Sequence, residues 1–228
     1  MRALGIIALC VLVPIVGLVV GYKIMFPTYS YRYRLTVAIE IDGQVHSGSS
    51  VIEVVWRGAP EFGDVGPYHP GIRGQAAFVD LGEHRAVVAV LTARAQGGIV
   101  RWPEGVDALW LVPQAFGKGL SLEEFPQLSG LRGRRELAPD NMPRLIWFSD
   151  IADPKTARRI DPVSIPTLFG PGARLAAAYV EITRDPIITD IDKKLPWFEM
   201  LRSGPNHGVM YLPSGFALAW TMFIGDSS

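Results

Sequence analysis

The chain has 228 residues, 22 basic against 22 acidic, with 19% charged and 49% hydrophobic residues and a single cysteine. That length suffices for one full domain or two small ones with a real core, and the composition excludes wholesale disorder. Zero net charge argues against a general nucleic-acid binder, which needs a basic excess; one cysteine excludes an intramolecular disulfide framework and a cysteine-cluster zinc site.

The first element in the chain is Ala3 to Tyr22, an uncharged run between Arg2 and Lys23. As an α-helix it is roughly 30 Å long, the thickness of a bilayer's hydrocarbon core, so residues 3–22 are expected to be a retained transmembrane anchor. Tyr22, Phe26, Tyr29 and Tyr31 supply ring types favoured at a membrane interface, and Pro27 ends the helix. A cleaved signal peptide is the rival reading, but its apolar region is normally shorter and Val19-Val20-Gly21 is a weak cleavage site. Positive charges near the anchor do not fix its orientation; a short cytoplasmic tail and an exported C-terminal domain are the favoured arrangement. Within the anchor, Gly17 and Gly21 form a G-x-x-x-G spacing suited to helix–helix contact and a helix-mediated homodimer, and Pro14 predicts a kink.

With Arg2 and Lys23 set aside, the rest of the chain is acidic by two charges. Residues 31–41 alternate, with Tyr31, Tyr33, Leu35, Val37, Ile39 and Ile41 on one face and Arg32, Arg34, Thr36, Ala38 and Glu40 on the other. Asp42-Gly43 then predicts a tight hairpin, with a return strand from Val45 to Arg57. A second hairpin is predicted from Gln75–Leu81 and Ala86–Thr92, around residues 82–85. Further strands are predicted at Arg144–Ser149, Arg174–Thr183 and Ala217–Ile224. Proline spacing leaves no room for a long helix between Pro103 and Pro213; short helical pieces are expected at Asp107–Phe116 and after Asp153-Pro154. The fold class is therefore mainly β: an antiparallel sandwich or partly open barrel over residues 29–228, with 103–143 a possible insertion and a two-domain split near 100 the alternative.

No motif specifies a reaction. The chain lacks a phosphate-binding loop, a G-x-S-x-G elbow and H-E-x-x-H. His46 and Ser47 are strand neighbours and point to opposite faces, so they are poorly placed as base and nucleophile. Asp185, Asp190 and Asp192 read as a solvated loop, and the four histidines as ordinary loop or strand residues; no catalytic residue, cofactor or metal is assigned. Two basic groups, Arg132/Arg134/Arg135 and Lys155/Arg158/Arg159, are interspersed with acids and read as paired within the molecule. Aromatic residues carry the interaction candidates: Phe62, Tyr68 and His69 in a Gly/Pro-rich loop spanning 58–74, Trp102 before Pro103, and Trp197 after Pro196.

The anchor, the Tyr31–Arg57 hairpin and the stretch from Asp185-Pro186 to Leu195-Pro196-Trp197-Phe198 give the chain a layout that resembles uncharacterised single-anchor envelope proteins of Gram-negative bacteria. The resemblance implies no activity, ligand or catalytic residue. The expected function is a membrane-anchored, non-enzymatic binding or accessory protein of an inner-membrane or envelope assembly, with a protein partner there and the globular domain in the periplasm. An exported hydrolase or glycan-binding module is the alternative, and a purely structural subunit the second.

Overall fold

The computed structural model describes residues 2–60, 67–91, 105–118, 124–213 and 215–226, with side chains from Leu12 to Gly225. It opens with helix α1 (Arg2–Met25), which continues through Pro14. Every residue from Leu12 to Met25 is exposed. Among the described residues no helix is long and apolar enough to cross a membrane; the predicted span, 3–22, begins before the side chains described.

After Phe26-Pro27 come β1 (Thr28–Ile41), β2 (Gln44–Gly58), β3 (Tyr68–Gln75), β4 (Ala77–Gly82) and β5 (Arg85–Ala89). Then follow α2 (Ala108–Ala115), α3 (Phe125–Leu128), β6 (Arg134–Glu136), β7 (Leu145–Phe148), β8 (Ala157–Ile160), α4 (Ile165–Phe169) and β9 (Arg174–Thr183). The chain ends in α5 (Ile191–Lys194), α6 (Phe198–Arg202), β10 (Val209–Tyr211), β11 (Ala217–Ala219) and β12 (Ile224–Asp226), with a turn of helix (Pro205–Gly208) before β10. All strand pairs among the described residues are antiparallel. One sheet has the order β12-β3-β2-β1-β9-β6, a second β4-β5-β7-β8, and β10-β11 form a small hairpin; among the described residues none closes into a barrel.

The predicted hairpin is the centre of the larger sheet. Asp42 and Gly43 adopt φ of 51° and 78°, the two left-handed residues of a type I′ turn, and set a register in which Ile41 faces Gln44. The alternation that this register imposes buries Tyr31, Tyr33, Leu35, Val37 and Ile39 against Val54, Trp56 and the second sheet. The two sheets meet where β4 crosses β2 at Gly48: a Cβ there would lie 1.9 Å from the Phe78 carbonyl oxygen, so only glycine fits.

The smaller sheet is buried on both faces, which is why β5 reads as an uninterrupted apolar run. Val87 and Ala89 face the core between the sheets, whereas Val88 and Val90 face a second core with Ile146 and Phe148 of β7. Ile191, Leu195, Trp197, Phe198 and Leu201 cover that second core from α5, α6 and the link between them, beside Leu218 and Phe223.

Three expectations about secondary structure are corrected. Residues 217–224 form two short strands broken by a turn of 3₁₀ helix at Trp220–Met222, and β12 leaves to pair with β3. Residues 68–74, expected as loop, belong to strand β3, which ends at Gln75. After Asp153, whose carboxylate caps the Lys155 amide, the helical turn stops at Thr156 and the chain becomes β8. Within 103–143, α2 contributes Leu111 and Val112 to the main core, and β6 extends the larger sheet at β9.

Helix α2 survives Pro113 because tyrosines serve its backbone. Asp107 caps it through the Leu109 amide. Pro113 has no N–H for the Leu109 carbonyl, and the Tyr31 hydroxyl lies 3.5 Å from that oxygen, while Tyr33 donates to the Ala108 carbonyl at 2.9 Å.

Candidate functional site at the α1 end of the sheet

The inward alternation of β1 places Tyr29, Tyr31 and Tyr33 in one file running from the α1 end into the core. A column of rings continues from it. Tyr29 and Tyr68 have centroids 6.1 Å apart, Tyr68 meets Phe125 edge-on at 5.1 Å, and Phe125 stacks on Trp56 at 4.4 Å with Trp110 beyond at 5.1 Å. Such geometries add modestly to the burial energy of each ring. At its outer end Tyr22 packs on Phe26 at 4.9 Å.

Between that pair and Tyr68 lies an open cavity of about 250 Å³, lined by Met25, Phe26, Pro27, Gly58, Ala59, Pro67 and Tyr68. The backbone is pinned around it: the Gly58 amide donates to the Pro27 carbonyl at 3.0 Å, and the Ala59 amide to the Pro67 carbonyl at 2.9 Å. A Cβ on Gly58 would lie 2.7 Å from the Pro27 oxygen, so the close passage of the α1–β1 link over β2 depends on glycine. Burial pushes the Tyr68 phenol up, and the neighbouring Tyr29 hydroxyl acts in the same direction. The lining is therefore apolar and aromatic, with a neutral hydroxyl at its rim. It suits an apolar group or a flat ring, and it offers no nucleophile or base.

The sequence candidates separate. Tyr68 is half-buried beside the cavity and belongs to this site, while His69, its strand neighbour, is exposed opposite Arg57. Phe62 and Trp102 lie outside the described residues. Trp197 is corrected from an exposed contact to a core residue: it is 4% exposed in the second core, its indole donates to the Ile151 carbonyl at 2.8 Å, and it packs against Phe148 and Phe223. Gly17 and Gly21 are exposed on α1 with no atom within 4 Å of an added Cβ. Sequence reasoning missed Tyr29 and Phe125 as members of the column. The period-two tyrosines of β1 were a signal for the first; nothing marked Phe125.

Carboxylates do not converge among the described residues. Glu53 accepts from Arg32 at 2.9 Å and Arg73 at 3.1 Å on the outer face of the larger sheet. Residues 184–190 cross that face and pull the predicted aspartate group apart. Asp185 takes hydrogen bonds from Thr183 and from Arg34 at 2.6 Å, which hold its carboxyl below the usual range. Asp190 accepts from Gln75 and pairs with Lys194 at 3.1 Å; the Gln75 bond is the main reason its carboxyl is also held low. No group of three His, Cys, Asp or Glu side chains among the described residues could hold a metal ion. His46 Nδ1, as donor, lies 3.1 Å from the Asp80 carbonyl.

Fold and site together define a mainly antiparallel β protein with an aromatic-lined junction between a helix and its sheet. No protein-family model, curated protein or solved structure matches the chain.

Proposed function

We propose that the chain is a membrane-anchored, non-enzymatic binding or accessory protein of an inner-membrane or envelope assembly, single-pass, with its β domain on the periplasmic side. The carrying observation is α1: from Leu12 to Tyr22 it carries no charged residue on any side, and it is exposed around its whole circumference. A helix apolar on every side is built for lipid or for other helices, not for water. The uncharged run upstream, from Ala3, extends the same character, and Tyr22, Phe26 and Tyr29 supply rings where the helix gives way to the domain. Gly17 and Gly21, open on the helix surface, suit a second helix, either of a partner or of another copy.

The reading is tested by alkaline carbonate extraction of native membranes, followed by gel filtration in mild detergent. A retained chain that elutes in a stoichiometric complex fits it; a chain stripped by carbonate, or a partnerless monomer at native expression, overturns it. The hydrolase alternative needs acids converging in an aromatic cleft, whereas Glu53, Asp185 and Asp190 are engaged separately by arginines, Gln75 and Lys194.

A further inference from the structure

Strand β1 overhangs its neighbour on one side. Thr28–Tyr31 pair with β2, but the pairing with β9 begins only at Arg32, opposite Thr183. The angle left open is a cavity of about 590 Å³, lined chiefly by Ser30, Arg32, Ser129, Arg132, Thr183 and Arg184. It is distinct from the apolar cavity around Tyr68 and opposite in chemistry.

Its charge is positive. Glu53 also faces it, but that carboxylate already carries both Arg32 and Arg73. Arg132 is held by two backbone carbonyls, Ser129 at 3.3 Å and Leu131 at 2.6 Å, and meets no carboxylate among the described residues. Arg184 has no side-chain partner among the described residues. Among the described residues these two guanidinium groups have no carboxylate partner, and with the Ser30 hydroxyl they form a donor set suited to a phosphate; the Ser129 and Thr183 hydroxyls are already given to the Pro126 carbonyl and to Asp185.

Position selects among phosphates. Ser30 is five residues beyond Met25, so extended chain carries it at most roughly 17 Å past the end of α1. The polar layer of a bilayer is about 5–8 Å deep on each side, and arginine side chains span most of the remaining gap. We propose that this cavity binds the phosphate of an anionic phospholipid headgroup. The proposal rests on the anchored reading of α1, because that reading sets the cavity's height above the bilayer.

The test uses the full-length chain in neutral detergent, titrated by calorimetry with dihexanoyl phosphatidylglycerol below its micelle concentration, and separately with inorganic phosphate. Basic groups at an anionic surface contribute about fivefold each, so Arg132→Gln with Arg184→Gln lowers affinity for the lipid about 30-fold. Arg158→Gln, in the other sheet, changes it less than twofold. Equal affinity in the double variant overturns the proposal. Inorganic phosphate binding as tightly as the lipid also overturns it, by making the cavity a site for free phosphate. A chain that withstands carbonate in neutral bilayers yet shows no arginine-dependent lipid binding refutes the cavity alone; a chain that carbonate strips refutes both readings.

Discussion

Tyr31 and Tyr33 set an alkaline limit on the fold. Their exposures are 6% and 0%, and burial is the main cause that pushes both phenols up. For Tyr33 a charge on Tyr31 and the Asp107 carboxylate act in the same direction; for Tyr31 the nearby Trp56 indole offsets burial only in part. An unfolded tyrosine ionises near pH 10, so above that pH the folded state keeps two protons that the unfolded chain releases. With both folded values raised, the stabilisation is fully present below about pH 10 and is lost as pH rises. Each retained proton is worth about 1.4 kcal/mol per pH unit, giving a combined loss of roughly 3 kcal/mol by pH 11 and about 5 by pH 12. That is a large share of the 5–15 kcal/mol typical of a domain. Urea unfolding of the full chain in neutral detergent, followed by circular dichroism at pH 8, 10 and 11, measures the loss. Tyr31→Phe and Tyr33→Phe should each halve the slope, and Tyr33→Phe should cost about 1 kcal/mol at pH 8, where the Ala108 carbonyl loses its hydroxyl donor. The reasoning fails if absorbance at 295 nm shows all seven tyrosines ionised at pH 11 while the native spectrum persists.

Gly48→Ala drives a Cβ to 1.9 Å from the Phe78 carbonyl oxygen, where the obstacle is backbone; about 3 kcal/mol or more of destabilisation is expected in urea melts. At the acid end, Asp185 and Asp190 are held below the ordinary carboxylate range, so their contribution is present above about pH 4 and disappears as pH falls through their folded values. Asp185→Asn with Asp190→Asn should flatten the stability profile below pH 4, and an unchanged acid limb would contradict the Arg34 and Gln75 contacts. Trp197→Ala should cost about 3–5 kcal/mol by emptying a buried ring site, whereas Trp197→Phe should cost about 1–2 by orphaning the Ile151 carbonyl. Near-wild-type melting of Trp197→Ala would restore that residue to the surface.

Legibility followed one-sided burial. The β1–β2 hairpin was readable because one face is core and the other carries Arg32, Arg34, Glu40 and Glu53, so the period of two survives in the sequence. β5 and β7 lie between two cores and lose that period, so their existence was legible but not their facing. β3 was hidden by Pro70, Gly71 and Gly74; Gly74 has φ of 123° and passes within 2.7 Å, at an added Cβ, of the Val51 carbonyl oxygen. The proline beside Trp197 read as an element edge, although the chain there folds back over the second core. β6 is three exposed residues, Arg134-Arg135-Glu136, and read as a basic patch. The larger sheet uses them as its edge, with Arg134 over the Tyr179 ring at 3.4 Å and Arg135 over Phe116 at 4.7 Å. Charged side chains on a short edge strand guard it against pairing with another chain.

The two cavities owe their relation to the length of one link. Had α1 joined the domain through a long glycine-rich linker, its position would say nothing about the height or tilt of the sheet. Here Phe26 and Pro27 alone separate α1 from β1, and the Gly58 amide ties the Pro27 carbonyl to β2. β1 is also an inner strand, paired along its length with β2 and from Arg32 onward with β9, so what fixes its first residues fixes the sheet. The apolar cavity at Tyr68 and the basic one at Ser30 flank this single pinned strand start, within a few residues of the helix end. An apolar pocket and a phosphate-suited pocket side by side match the two chemistries met on leaving a bilayer, acyl chain first and headgroup next. Without the Gly58 tie the same side chains would be present but held at no defined distance from α1, and their order would carry no information.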